Sequence, residues 1–137
     1  MATHTGSCQC GDVKIEISAD PLFSGHCSCT DCQRASGTGH STIVAFPKPA
    51  VKIVGTTTKY VSTGDSGKAV TREFCPRCGS RLISYGESNP MAILVSAAAI
   101  DDQSLVKPGA HVYAKSKAPW DHVNPALPSF PMMPPGM

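Results

Sequence analysis

Seven cysteines fall into three groups: Cys8-x-Cys10, Cys27-x-Cys29-x-x-Cys32 and Cys75-x-x-Cys78. As thiolates they are metal ligands and nucleophiles, so they are the residues whose type and spacing can do chemistry. An odd count rules out a complete disulfide framework within one chain. The start MATHTGSCQCGD has no charged-then-apolar signal, so the expected compartment is the reducing cytoplasm. Thiols there bind metal or react more often than they pair.

The outer pairs read as one tetrahedral site. In an extended segment Cys8 and Cys10 point to the same side. After Cys75 the chain turns tightly, and Gly79 suits the positive φ of such a turn. Four thiolates at about 2.3 Å from one zinc ion make a closed, structural site. Such a site would tie the start of the chain to its middle across a long loop. The competing reading of Cys75 and Cys78 is a thioredoxin-like redox pair. That motif opens a helix, whereas the β-like RLISYG follows here.

The inner trio, Cys27, Cys29 and Cys32, supplies three ligands and leaves a fourth position open, the pattern of catalytic zinc. Zinc held by three thiolates is a weak Lewis acid that suits a soft incoming ligand, above all another thiolate. Two alternatives stand beside this. His26 or His40 could close the site into a second structural zinc, or the trio could be metal-free redox thiols. Asp101-Asp102 reads as a turn rather than an acid/base dyad, and no P-loop or GxGxxG is present.

These residues need a scaffold. Residues 12–18 alternate with Val13, Ile15 and Ile17 on one face, as in a half-buried strand. Residues 30–36 predict a short helical turn, capped by Thr30 and ended by Gly37. Residues 42–46 and 51–54 are strand-like, TTTKYVS-TGDSG-KAVTREF reads as a hairpin, and RLISYG predicts another strand. MAILVSA reads as a buried strand, although SAAAID could be a helical turn, and HVYAK is a last strand candidate. From 119 to 137 the chain is Pro-rich and is expected to run extended over the surface or hang free. The expectation is one mainly β domain over residues 1–137, with one short helix and no βαβ alternation. A net charge of +2 gives no support for nucleic-acid binding, and no stretch approaches the ~20 apolar residues of a membrane span.

The joint pattern resembles the family of glutathione-dependent formaldehyde-activating enzymes, which includes centromere protein V. The resemblance rests on GSCQCG (6–11), CSCTDCQRASG (27–37), FCPRCGSRL (74–82), IDD (100–102), KSKAPW (115–120) and LPSFPMMP (127–134). It implies a β-tent of bent antiparallel sheets stapled by zinc. The family's structural zinc maps onto Cys8, Cys10, Cys75 and Cys78, and its site-forming zinc onto Cys27, Cys29 and Cys32. The implied activity is condensation of formaldehyde with glutathione as co-substrate to S-hydroxymethylglutathione, a carbon–sulfur lyase reaction. On that reading glutathione's thiolate takes the fourth zinc position, and water or His40 supplies a proton to the product. Arg34 is the nearest cation in sequence for a glutathione carboxylate, against a plain solvated helix residue. Trp120 could wall a ligand groove near Lys115 and Lys117, against simple packing under the tail. The other function classes are a non-catalytic zinc-binding module and a thiol redox or zinc sensor.

Overall fold

The alternation around Val13, Ile15 and Ile17 is realised as a strand with one dry face, and all three side chains are buried. The computed structural model describes residues 3–134. Strand β1 (His4–Ser7) pairs with β2 (Lys14–Ile17), and β2 with β5 (Val51–Val54), in an antiparallel three-stranded sheet ordered β1-β2-β5. The second sheet contains β3 (Phe23–Cys27), β4 (Ser41–Pro47), β6 (Thr58–Thr63), β7 (Ala69–Phe74), β8 (Arg81–Gly86), β9 (Ala92–Ser96) and β10 (His111–Val112). Its order is β10-β3-β4-β9-β8-β7-β6, antiparallel except for the β10–β3 pair. Among the described residues one α-helix, α1 (Thr30–Ser36), crosses from β3 to β4.

The two sheets share one core. Val13, Ile15 and Ile17 meet Val44, Phe46, Leu82, Ile83, Val95 and Ile100. Each fully buried Ile or Phe stabilises the fold by roughly 1.5–3 kcal/mol. Strands β8 and β9 pair only through Ile83–Val95 and Ser84–Leu94, which leaves room for the larger sheet to bend there. This is the mainly β, bent-sheet tent with one short helix that the resemblance implies. Among the described residues no helix is long and apolar enough to cross a membrane.

Several elements differ from their sequence reading. Cys8 and Cys10 do not lie in an extended segment; residues 9–10 form a turn closed by Gly11 N–H to Cys8 C=O at 3.3 Å. Phe23–Cys27 is a strand that its own residue pattern does not announce, since FSGHC neither alternates nor carries β-branched residues; its full-length pairing with β4 makes it one. The HVYAK strand stops after Val112, because Tyr113 turns left-handed at φ 54 and a short 3-10 turn follows. Both readings of MAILVSAAAID hold in succession, a strand to Ser96 and then a 3-10 turn over Ala97–Ala99. The Pro-rich tail lies along β10 instead of hanging free. His111 N–H donates to Pro128 C=O at 2.8 Å, and Phe130 N–H to His111 C=O at 2.9 Å. The rest of that tail, residues 135–137, lies outside the described residues.

Candidate metal centres and active site

The first centre is built from two turns of the same design. Cys8 and Cys10 sit in the turn between β1 and β2, and Cys75 and Cys78 in the turn between β7 and β8. Each turn ends on a glycine with positive φ, Gly11 at 85° and Gly79 at 76°, which other residues adopt only with strain. The turns aim backbone N–H groups at sulfur. Val13 N–H reaches Cys8 Sγ at 3.3 Å, and the Arg77 and Cys78 N–H groups reach Cys75 Sγ at 3.4 and 3.5 Å. Ser80 Oγ accepts from Gln9 N–H at 3.1 Å and lies 3.2 Å from Cys78 Sγ. Its donated hydrogen bond pushes the Cys78 thiol down to about 5. All four sulfurs lie within 4.8 Å of one another, with Cys8–Cys10 at 3.6 Å and Cys10–Cys75 at 3.7 Å. A tetrahedral ion with metal–sulfur bonds of about 2.3 Å requires sulfurs about 3.8 Å apart. Donor type, number and spacing therefore all fit a metal ion.

The second cluster brackets the start of α1. Cys27 ends β3, Cys29 precedes the helix and Cys32 lies in its first turn. Thr30 does not cap this helix. Cys29 occupies the cap position and its sulfur accepts from Cys32 N–H at 3.2 Å, because the loop already bends the thiol toward the helix start. Gly37 ends the helix at φ 74, as expected. The three sulfurs lie within 4.8 Å of one another, and no histidine nitrogen or carboxylate among the described residues joins them. Donation from the Cys27 and then the Cys29 thiol pulls Cys32 well below the ordinary thiol range. The nearby Ser41 hydroxyl and the Arg81 guanidinium favour the same thiolate. Cys27 moves the opposite way, held protonated by its hydrogen bonds to Cys29 and Cys32.

A buried polar frame holds the loop. Ser28, between the two cysteines, meets His111 Nε2 at 2.7 Å, and both residues are buried. Gln33 Nε2 donates to Ser28 C=O at 2.8 Å and to Ser116 C=O at 2.9 Å. Such supports fix ligand direction as surely as the ligands themselves do. Sequence reasoning passed over His111 and Gln33, and no local signal marks them, since their partners lie up to 83 positions away.

The histidines weighed as ligands stand elsewhere. His26 precedes Cys27 on a strand, so its side chain takes the opposite face. Its Nδ1 meets Thr42 Oγ1 at 2.8 Å across the sheet. The His40 ring stacks edge-on against His26 at 4.7 Å, and its Nδ1 pairs with Asp121 Oδ2 at 2.7 Å. Burial keeps His26 and His111 below the ordinary histidine range.

Arg34 is exposed on α1. Two positions beyond Cys32, it stands about 200° further round the helix. Trp120 is 63% exposed, and Lys115 and Lys117 are exposed as well. None of the four lines the cleft that holds Arg81. The cation that does approach the trio is Arg81, missed at the sequence level. Burial lowers the affinity of its guanidinium for the proton, and the nearby Cys32 thiolate opposes that. Arg81 shares with Arg72 a cleft of about 210 Å³. Asp101 and Asp102 act in turns: Asp101 Oδ2 accepts from Thr5 Oγ1 at 2.7 Å, and Asp102 Oδ1 from Ser104.

Comparison with known proteins is consistent with this geometry. Residues 3–116 match the family model described as glutathione-dependent formaldehyde-activating enzyme. A crystal structure of a Rhodobacter sphaeroides protein superposes with a TM-score of 0.59 at 20% identity, covering 92% of this chain and 98% of that one. At that identity the likeness speaks for the fold.

Proposed function

The chain belongs to the glutathione-dependent formaldehyde-activating enzyme family, and from that premise we propose that it joins a small thiol, glutathione or a relative, to formaldehyde or a related aldehyde. Residues 1–137 act in this reading as one domain. The observation that carries it is the Cys27–Cys29–Cys32 cluster: three sulfurs within reach of one ion, with no fourth protein ligand among the described residues. Cys8, Cys10, Cys75 and Cys78 would hold a structural zinc, and the trio a second. A zinc ion held by three thiolates would supply a soft site that lowers the pKa of an incoming thiol.

The remaining work belongs to the protein. The frame of buried Ser28 and His111 with half-buried Gln33 keeps the three sulfurs converged. Arg81 offsets the negative charge that the thiolates accumulate. A thiol held at the trio, beside the nearby cation Arg81, would be restrained so that the aldehyde meets it at high effective concentration. In the reaction the thiolate sulfur bonds to the carbonyl carbon, the C=O π pair moves to oxygen, and a proton from water completes the hydroxymethyl thioether. The position of His40 beside His26 and Asp121 supports water as the proton source rather than this histidine.

The decisive variant is Cys29→Ser. We expect its metal content to fall from two ions per chain to one. Its circular dichroism should stay unchanged, and glutathione-dependent consumption of formaldehyde should drop to the uncatalysed rate. Full turnover in a correctly folded Cys29→Ser protein with one ion would overturn the reading in favour of a metal-binding module or thiol sensor.

A further inference from the structure

Tyr113 is the one residue other than glycine with a positive φ among the described residues, at 54°. A bulky side chain keeps that conformation only where the structure around it imposes the strain, and such strain clusters at functional sites. We propose that Tyr113 is a catalytic residue of the cysteine-trio site, its phenol donating a hydrogen bond to the aldehyde oxygen as the thiol sulfur adds to the carbonyl carbon. This rests on the reaction proposed above and supplies the group that meets the developing charge.

Backbone contacts place Tyr113 beside the trio. Parallel pairing of β10 with β3 sets His111 beside His26 and Val112 beside Cys27. Ser28 N–H then donates to Val112 C=O at 3.1 Å. Beyond Tyr113, Gln33 Nε2 ties Ser116 C=O to Ser28 C=O with bonds of 2.9 and 2.8 Å. Tyr113 is thus held between two links to the segment that carries Cys27, Cys29 and Cys32. In a continued strand, residue 113 would take the face of His111, opposite to that of Val112. The left-handed turn breaks that alternation. The tail secures the turn, because Tyr113 N–H donates to Met132 C=O at 3.3 Å and Ala114 N–H to Phe130 C=O at 2.9 Å. Ser116 N–H closes it by donating to Tyr113 C=O at 3.1 Å.

The half-buried phenol keeps its proton. Burial first, then the Asp65 carboxylate beside it, then the charge of the Cys27 and Cys29 sulfurs push it up to about 12. At neutral pH it is therefore an uncharged donor. The trio has a cation near Cys32, which is Arg81, and this neutral O–H near Cys27 and Cys29. Full negative charge reaches the aldehyde oxygen only as the C–S bond forms. A donor already positioned for that oxygen binds the transition state more strongly than the ground state. In the step, the thiolate lone pair makes the C–S bond and the C=O π pair moves onto oxygen. The phenol holds that oxygen while water protonates it, and the proton given up earlier by the thiol returns the resulting hydroxide to water.

The test follows exchange between isotope-labelled formaldehyde and glutathione by NMR on the metal-loaded protein, as acceleration over the protein-free rate. Tyr113→Phe keeps the ring and the backbone and removes only the donor. We expect its acceleration to fall at least about tenfold. Metal content and circular dichroism should stay at the wild-type values. So should the response of the cobalt-substituted protein's spectrum to glutathione alone. Tyr113→Gly suits the left-handed turn better than tyrosine does, so it should fold at least as well and be as slow as Tyr113→Phe. An accelerating wild type matched by either variant removes Tyr113 from the mechanism and leaves the reaction standing. A slow Tyr113→Phe protein that has also lost metal or its glutathione response overturns the role too, and makes the tyrosine a prop for the trio. A wild type that gives only the protein-free rate sinks the reaction itself, and this role with it.

Discussion

Ser80 receives a hydrogen bond from Gln9 in one cysteine turn and gives its own hydrogen to Cys78 in the other. The hydroxyl favours the Cys78 thiolate, so that sulfur stays deprotonated down to about 5, below the usual thiol range. Its contribution to folding is fully present above the unfolded thiol pKa of about 8.5 and is lost as pH falls through about 5. Ser80→Ala should raise that thiol pKa, so protons would displace a metal ion held there at a higher pH; metal release from the loaded protein, followed with a chromogenic chelator during acid titration, should show the midpoint moving up. A second buried group is Glu73, whose carboxylate accepts from Thr57 Oγ1 and from Tyr85 O–H, each at 2.6 Å. Tyr85→Phe should cost about 2 kcal/mol in urea unfolding, because it strips a buried carboxylate of one donor. The two cysteine clusters were legible because the spacing within each group is local. The placements of Ser80, Arg81 and His111 were not, because their neighbours Gln9, Cys32 and Ser28 lie far along the chain.

Strand β1 shows what close approach asks of an element. Gly6 bridges Ile100, and a Cβ there would run into the Ala99 carbonyl oxygen. Gly37, at the end of α1, has a left-handed φ but open space around it. Gly6→Ala should therefore destabilise the protein by about 3 kcal/mol through collision, against about 1 kcal/mol for Gly37→Ala through backbone strain alone. Equal midpoints in chemical denaturation would refute that contrast. Elements with a strong internal pattern, such as β2, β8 and the β6–β7 hairpin, were readable in advance. Strand β3 and the two-residue β10 exist because of their neighbours, so no reading of FSGHC or HVYAK in isolation could delimit them.

For the whole molecule the four-cysteine cluster is the joint between the sheets. One of its turns connects β1 to β2 in the smaller sheet, and the other connects β7 to β8 in the larger one. Cys10 and Cys75, 65 positions apart, hold that joint shut. Metal bound there would be folding free energy, because the unfolded chain has no preformed site. Chelation under reducing conditions, or Cys10→Ser, should cause cooperative loss of sheet signal in circular dichroism, whereas Cys29→Ser should leave it intact. A Cys10→Ser protein with wild-type melting behaviour would show that the core alone suffices.

The tail has a consequence of its own. Ser129 lies beside His111 as one more row on the larger sheet. In that segment Pro125, Pro128, Pro131 and Pro134 recur at every third position. A row so poor in N–H groups takes hydrogen bonds from β10 but offers a newcomer almost nothing to zip onto. The growing edge is thereby sealed by the chain's own backbone chemistry, and copies of the molecule find no template there on which to stack into ribbons.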